Sequence, residues 1–262
     1  MTEHSTGSHF CGMEILENGL RELCRNDTNV EKLIAPRQVQ IITLLRRYIA
    51  FIEDKNRALG LVGTADREEL IRRHILDSLA PLWLFSRLLR QRAYQDIPRI
   101  ADVGSGAGLP GIPLAITMPQ ARFFLIERMG RRAEFLRGAL KALELPNVTI
   151  VEDEMEKFAH NIIMKNPSRP ERFDIVTFRA FRRLEPKIIK GLFRLCAADG
   201  VIAAYKGKRE KIDAEIDELE KYSANHGAKS GPPPLKCEVI PCPAPLSEED
   251  RHILLIRSGE RQ

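Results

Sequence analysis

The stretch IADVGSGAGLPGIPLAI, residues 100–116, places four glycines within eight residues between two apolar runs. Glycine weakens the interior of helices and strands, so this composition is typical of a turn. We predict that the strand RIADV runs into Gly104, Gly106 and Gly108, and that a helix begins near residues 110–113. In an open parallel sheet such a turn lies at the carboxyl edge, where glycine lets backbone amides approach a ligand closely.

After Pro98 the sequence alternates short apolar runs with helix-sized amphipathic segments. This alternation predicts an α/β fold, with a mainly parallel sheet and helices on both faces. No long helical segment separates the last two runs, so we expect one of these strands to lie antiparallel at the edge of the sheet. The seven predicted strands are RIADVGS, ARFFLIER, NVTIVED, FDIVTFR, GVIAAYKG, LKCEVIPCP and RHILLIR.

The first third of the chain has helical periodicity instead. A second helical stretch there follows Asp66, which is expected to cap it ahead of Glu69. We therefore predict an N-terminal helical extension over residues 1–89 and a second domain over residues 90–262. The clearest apolar stripe consists of Val39, Ile42, Leu45, Ile49 and Ile52.

The composition is that of an ordinary globular protein, with 44% hydrophobic and 29% charged residues. No apolar run approaches the ~18 residues of a membrane span, and the polar start MTEHSTGSH lacks a signal-peptide core, so we expect a cytoplasmic protein with no membrane partner. The net charge of +5 favours an acidic partner such as nucleic acid. The five cysteines show no C-x-x-C pairing, and neither disulfides nor a metal site are predicted.

The glycine-rich turn follows an acidic residue, in a D-x-G-x-G-x-G pattern that starts at Asp102. A dinucleotide site favours G-x-G-x-x-G, and a carboxylate beside the turn would repel a pyrophosphate. The same carboxylate suits S-adenosylmethionine, which is cationic and has no phosphate. Glu127 ends the next strand, where its carboxylate can accept both ribose hydroxyls of any adenosine cofactor. The residues thus favour S-adenosylmethionine, with an NAD-binding oxidoreductase and a purely structural turn as alternatives.

Six segments carry a more specific likeness: RRHILDSL, DVGSGAGLPGIPLAI, EDEMEKF, FDIVTFRAF, YKGK and RHILLIR. In this order and spacing, the chain from about Tyr48 to Arg257 resembles the RsmG (formerly GidB) family. These are bacterial methyltransferases that act on N7 of a guanine in small-subunit (16S) ribosomal RNA. GLPGIPLA and RHILDS are not general methyltransferase motifs, which makes the resemblance specific.

The resemblance implies a class I (Rossmann-like) methyltransferase domain with a seven-stranded, mostly parallel sheet behind an N-terminal helical segment. It implies S-adenosylmethionine as cofactor, and ribosomal RNA or the small ribosomal subunit as partner. Asp102 and Gly108 belong to the same predicted cofactor site by their place in the turn. The contacts implied by motif match are Gly104, Gly106, Leu109, Glu127, Met155, Glu156 and Arg179.

Methylation at guanine N7 sets few chemical demands, because the lone pair already lies in the ring plane and no proton is lost. Alignment of the reactants can supply roughly 7 to 11 kcal/mol, so we predict no general base. Substrate positioning is instead expected from Arg179 and Lys206 at strand ends, and from Arg73 and His74 in RRHILDSL. Lys206 is a candidate for an RNA phosphate contact.

Two interpretations stay open for RRHILDSL. His74 and Asp77 are three residues apart and share a helix face, which predicts a structural hydrogen bond between them. Alternatively, this helix end closes over the cofactor pocket and positions RNA. Arg251 and His252 either contact phosphate or begin a strand in solvent. The chain also departs from the family at Glu154, where an arginine is usual.

Basic residues cluster in RMGRR, FRAFRRLEPK and YKGKREK, all near predicted strand-to-helix edges. Phosphate contacts dominate the affinity of proteins for RNA, so these clusters together favour an RNA partner. A non-catalytic RNA-binding module with a vestigial cofactor pocket is the remaining alternative.

Overall fold

The computed structural model describes residues 6–90, 97–165, 171–230 and 235–259. Its centre is a seven-stranded sheet in the order β3-β2-β1-β4-β5-β7-β6, which confirms the predicted α/β fold. The strands are β1 (Arg99–Val103), β2 (Arg122–Ile126), β3 (Val148–Val151), β4 (Phe173–Arg179), β5 (Cys196–Lys206), β6 (Leu235–Pro241) and β7 (His252–Ser258).

The strands β1 to β5 are mutually parallel, and β7 pairs antiparallel with both β5 and β6. The prediction that one of the last two strands is antiparallel is confirmed, but its predicted position at the edge of the sheet was wrong. β7 inserts between β5 and β6, and β6 at the edge runs parallel to β5. A short connection lets β7 return directly beside β6, whereas a parallel partner would need a long crossover.

Eleven α-helices surround the sheet in the described part of the chain. A 3₁₀ turn spans Ala35–Arg37, and a π-helical turn spans Ile71–Leu76. The helices are α1 (Thr6–Asn26), α2 (Thr28–Ile34), α3 (Gln38–Leu59), α4 (Arg67–Leu70), α5 (Asp77–Leu79), α6 (Leu82–Arg90), α7 (Gly111–Thr117), α8 (Gly130–Leu143), α9 (Met155–Lys165), α10 (Pro186–Leu195) and α11 (Arg209–Ser230).

The two faces of the sheet have different cover. Side chains alternate along each strand, so Ile100 packs on one face and Ala101 on the other. The Ile100 face packs against the helices α1 to α8, and the Ala101 face packs against α9, α10 and α11.

The N-terminal helices share one hydrophobic core with the sheet. Leu45 of α3 and Leu84 of α6 belong to the same buried cluster as Ile100 and Leu255 of the strands. The proposed boundary after residue 89 precedes residues 91–96, which lie outside the described residues, and no change of core marks it. In α3, Ile42, Leu45, Ile49 and Ile52 are buried as predicted, but Val39 is 81% exposed.

The helical stretch after Asp66 begins as predicted, since the Asp66 carboxylate accepts a hydrogen bond from the Glu69 N–H at 2.7 Å. A π-helical turn at Ile71–Leu76 interrupts this helical stretch. Turns of this kind are frequent at functional sites. Among the described residues no helix is long and apolar enough to cross a membrane.

The strand order reverses beside β1, because β2 and β3 extend to one side of it and β4 and β5 to the other. The loops that follow β1 and β4 therefore diverge and leave a crevice at the carboxyl edge, where open α/β sheets bind ligands. The glycine-rich turn follows β1 at this point.

Leu45→Ala tests whether the helical extension and the sheet unfold together. Leu45 is fully buried in the shared core, so we expect a loss of about 2–5 kcal/mol in the free energy of unfolding. The matched control Val39→Ala, on the same helix but exposed, should change it by less than about 0.5 kcal/mol. Urea unfolding followed by circular dichroism measures both.

One transition, shifted as a whole by Leu45→Ala, agrees with a shared core. Two transitions of which only one responds would show that residues 1–89 fold as a separate unit.

Candidate active site

The glycine-rich turn wraps closely around the end of β1. The N–H groups of Gly104 and Ser105 donate to the Ile126 carbonyl at 2.8 and 3.2 Å, which ties the turn to β2. Gly104, Gly106 and Gly108 have φ of +69°, +56° and +88°, a region that side chains with Cβ rarely adopt. A Cβ at Gly104 would also lie 2.5 Å from the Phe181 ring.

A first cleft of about 250 Å³ opens at the carboxyl ends of β1, β2 and β4. Of the predicted cofactor residues, Gly104, Glu127 and Met155 line it. The complete lining is Val103, Gly104, Ile126, Glu127, Arg128, Met129, Arg132, Asp153, Glu154, Met155, Ala180, Phe181 and Arg182. The lining contains both carboxylates and guanidiniums, which suits a zwitterionic ligand.

Glu127 is held by backbone donors. Its Oε2 accepts from the Gly106 N–H at 2.9 Å, and its Oε1 accepts from the Met129 N–H at 2.8 Å. A carboxylate has about four lone-pair sites, so each oxygen keeps capacity for a ribose hydroxyl. The residues present thus fit an adenosine cofactor. Gly106 contributes by orienting the Glu127 carboxylate through its N–H group.

Asp102 lies behind the turn instead of in the cleft. Strand alternation directs its side chain to the face covered by α7, where Oδ2 accepts from the Gly111 N–H at 3.0 Å. Its Oδ1 is buried with no hydrogen-bond partner among the described residues. Burial raises the pKa of Asp102 to about 7. The structure therefore does not support the prediction that this carboxylate faces a cationic ligand.

The other predicted cofactor residues lie beside the first cleft. Leu109 is buried in the core, and the Gly108 N–H donates to the Ser105 carbonyl at 2.7 Å, so both shape the turn from within. Glu156 lies outside the lining and accepts a hydrogen bond at 3.3 Å from Nη1 of Arg182, which lines the cleft.

A second cleft, of about 490 Å³, adjoins the first. The two share Ala180, which follows β4 and has a left-handed φ of +50°. Such a conformation is uncommon for a residue with Cβ and often marks a functional turn. The second cleft is lined by Gly63, Thr64, Glu69, Arg73, His74, Asp77, Arg179, Ala180, Tyr205, Lys206, Gly207, Glu249 and Arg251.

Arg179 connects the end of β4 to the π-helical turn. Its Nη1 donates to Asp77 Oδ2 at 2.9 Å and to the Arg73 carbonyl at 3.1 Å, and its Nη2 lies 3.0 Å from His74 Nδ1. The predicted hydrogen bond between His74 and Asp77 was therefore wrong, because both side chains bond Arg179 instead.

Two guanidiniums share the Asp77 carboxylate, since Asp77 Oδ1 also accepts from Arg251 Nε at 2.7 Å. The Asp77 side chain is only 5% exposed, so the ion pairs are shielded from solvent. Burial, together with the charge of Arg179, lowers the pKa of His74 to about 4. His74 is accordingly neutral at pH 7, and its Nδ1 accepts a hydrogen bond from Arg179 Nη2.

Lys206 and Arg73 are paired with carboxylates, although both line the second cleft. Lys206 Nζ lies 2.6 Å from Oε2 of Glu215, whose Oε1 accepts from the Leu184 N–H. Arg73 contacts Glu69 at 2.7 Å and Glu249 at 2.5 Å. Neither Lys206 nor Arg73 is therefore an unpaired cation in this structure. His252 begins β7, where it is half-buried and its Nδ1–H donates to the Gly207 carbonyl.

Sequence reasoning missed several residues that shape the site. Tyr48 donates its hydroxyl to the Ala107 carbonyl at 2.5 Å, and Tyr205 donates to the Ser78 carbonyl at 2.7 Å. Phe181 lies against Gly104, and Ala180 separates the clefts. A tyrosine on an apolar helix face was the available signal for Tyr48. Within the described ranges, no group of three or more His, Cys, Asp and Glu could hold a metal ion.

Comparison with known proteins decides the family. The family described as rRNA small subunit methyltransferase G (GidB) matches residues 41–231. The chain belongs to this family. The ribosomal RNA small subunit methyltransferase G of Klebsiella pneumoniae is 35% identical over 216 residues, covering 82% of this chain and 87% of that protein. The protein of the same name from Treponema denticola is 32% identical over 270 residues, covering 92% and 93%.

The solved structure of cofactor-bound Rv0187 from MTB has a similar fold, with a TM-score of 0.52 and 16% identity over 83% of this chain and 91% of that chain. The fold is thus the predicted class I methyltransferase fold, and this member of the methyltransferase G family is an S-adenosylmethionine-dependent enzyme. The family assignment rules out the NAD-dependent oxidoreductase alternative.

Gly104→Ala tests the first cleft as the cofactor site. The new methyl group would strain the positive φ and displace the Phe181 ring, so we expect at least about tenfold weaker binding of S-adenosylhomocysteine by calorimetry. Gly60→Ala is the matched control, because Gly60 has a φ of +57° with nothing within 4 Å. The control should lose about 1 kcal/mol of stability but bind normally. Equal affinities in both variants would contradict the assignment.

His74 should make the protein less stable in mild acid. Its pKa is lowered in the fold, so between about pH 6.5 and 4 the unfolded chain binds a proton that the folded protein does not. The free energy of unfolding therefore falls as the pH falls through this window. His74→Asn keeps an acceptor for Arg179 but cannot titrate, and it should show a shallower decline in urea unfolding at pH 6.5, 5.5 and 4.5. Parallel curves would refute the buried neutral state of His74.

Proposed function

We propose that this enzyme transfers the methyl group of S-adenosylmethionine to N7 of a guanine in small-subunit (16S) ribosomal RNA. The observation that carries the proposal is the meeting of two clefts at Ala180. The cofactor occupies the first cleft, and the target base enters the second. The names of the Klebsiella and Treponema relatives support the choice of substrate.

The second cleft offers positioning groups and no free base. His74 is neutral at pH 7, and its Nδ1 is engaged by Arg179. This agrees with attack by N7, whose lone pair needs no deprotonation. Holding the reactants in line supplies the acceleration, since well-oriented reactants gain roughly 7 to 11 kcal/mol.

Arg179 is the residue that we assign to base positioning. Asp77, His74 and the Arg73 carbonyl fix its guanidinium, so the side chain needs little reordering when substrate binds. A guanidinium has five N–H donors, and guanine presents O6 and N7 as acceptors at one edge. A remaining donor of Arg179 suits O6, which leaves N7 free to react. Lys206 and Arg73 also line the cleft, but both are paired with carboxylates, so we assign phosphate neutralisation to neither of them.

The partner is the small ribosomal subunit or its RNA, and the place of action is the cytoplasm, where ribosomes assemble. The excess of basic residues supports an RNA partner. No cofactor metal is invoked, because the proposed reaction uses only the sulfonium as its electrophile.

Methyl transfer to small subunits from cells that lack their own N7 enzyme tests the proposal. The purified protein is incubated with methyl-labelled S-adenosylmethionine and the label is mapped by chemical cleavage at 7-methylguanosine. We expect label at one guanine of the small-subunit RNA. Binding of RNA and cofactor without transfer would refute this RNA as the substrate, and label on another base would refute N7 of guanine as the target.

Arg179→Ala separates positioning from cofactor binding. We expect kcat to fall about 100-fold, the scale of a mispositioned reactant, with the affinity for S-adenosylhomocysteine within about twofold. Arg257→Ala is the control, because Arg257 makes a 3.5 Å surface ion pair with Glu238 on the strands β6 and β7. The control should keep full activity. An unchanged kcat in Arg179→Ala would remove Arg179 from the reaction.

A further inference from the structure

Three arginines stand together at the amino end of α8, on the rim of the first cleft. We name Arg128, Arg131 and Arg132 the arginine lip. All three are exposed, and in the described part of the chain none makes an ion pair with a carboxylate. Arg128 and Arg132 line the cleft, whereas Arg131 lies outside it.

The lack of partners distinguishes the arginine lip from neighbouring cations. Arg137 on the same helix contacts Glu152 at 2.6 Å, Arg182 contacts Glu156 at 3.3 Å, and Arg183 contacts Glu218 at 2.5 Å. Like charges within one helical turn repel each other. The positive end of the α8 dipole adds to this repulsion. This repulsion destabilises the protein without a ligand, and a bound anion would relieve it.

The position of the lip selects the anion. It adjoins the cofactor cleft, and the target base enters the neighbouring cleft, so the RNA strand that carries this base must cross the carboxyl edge of the sheet. The three arginines are themselves exposed, so their guanidiniums are accessible from solvent. Exposed arginines around a catalytic cleft match the regular negative charges of a nucleic-acid backbone.

We propose that the arginine lip binds phosphates of the ribosomal RNA strand next to the target guanine. The inference rests on the proposed function, because it assumes that RNA is the substrate. It adds an RNA-docking surface on α8 that is separate from the second cleft. Arg128 and Arg132 both line the cofactor cleft, and Arg132 Nη1 lies 4.0 Å from the position of a Cβ at Gly106. Arg131 lies outside this cleft and is therefore the residue to change.

The test is the salt dependence of RNA binding by the variant Arg131→Ala. Filter binding of naked small-subunit RNA and of small subunits is measured between 50 and 200 mM salt at fixed magnesium. One lost phosphate contact reduces the slope of log K against log salt by about 0.7 to 0.9, which is the reduction that we expect. KM for RNA should rise with kcat unchanged, and S-adenosylhomocysteine should bind normally.

The matched control is Arg122→Ala. Arg122 is also exposed and has no ion pair among the described residues, but it begins β2 at the opposite edge of the sheet. The control should keep the wild-type slope. Arg131→Lys, which retains the charge, should restore most of it, as a merely structural role for the arginine would not.

The outcomes separate the two proposals. Normal methylation with an unchanged slope in the alanine variant would overturn the docking surface and leave the proposed function intact. A reduced slope in the alanine variant, without methyl transfer by the wild-type protein, would support the docking surface and overturn the proposed function. A change seen with subunits but not with naked RNA would show that the lip contacts a ribosomal protein, which would also overturn the inference.

Discussion

The bonds from Arg179 to Asp77, His74 and the Arg73 carbonyl join the carboxyl edge of the sheet to the N-terminal helices, and the second cleft depends on them. Burying these charges costs desolvation energy. Removing one of the paired side chains would leave a buried charge without compensation and destabilise the fold. The π-helical turn brings the Arg73 carbonyl and the His74 ring to the same guanidinium. Its irregular geometry is thus explained by the side chain that it holds.

The helical extension forms one wall of the second cleft and anchors the glycine-rich turn beside the first. Tyr48 of α3 anchors the glycine-rich turn through the Ala107 carbonyl, while the RRHILDSL segment supplies one side of the second cleft. Tyr205 of β5 bonds the Ser78 carbonyl, so the sheet and the extension are tied at two places on either side of the crevice. A shift of the extension would therefore displace the glycine-rich turn and the second cleft together.

Patterns along the chain were sufficient for the strands and for the glycine-rich turn, because strand periodicity and positive φ leave local marks in a sequence. Contacts between distant segments leave none. The orientation of Asp102 depends on which face α7 covers, and the partner of His74 lies 105 residues away. Val39 fits the helical stripe, yet the stripe does not reveal where the covering helices end. The place of β7 between β5 and β6 is likewise a matter of tertiary packing.

The charges of the site divide into two groups with different tasks. In the second cleft, Arg179 and Arg251 share Asp77, Lys206 pairs with Glu215, and His74 is neutral, so these cations are largely compensated. Compensated, partly buried charges keep a fixed geometry and discriminate by hydrogen-bond direction. Uncompensated charges on an exposed rim attract a polyanion over several ångströms without selecting a base. An enzyme that must find one guanine in a large RNA needs both, and the structure places them on adjoining parts of one edge.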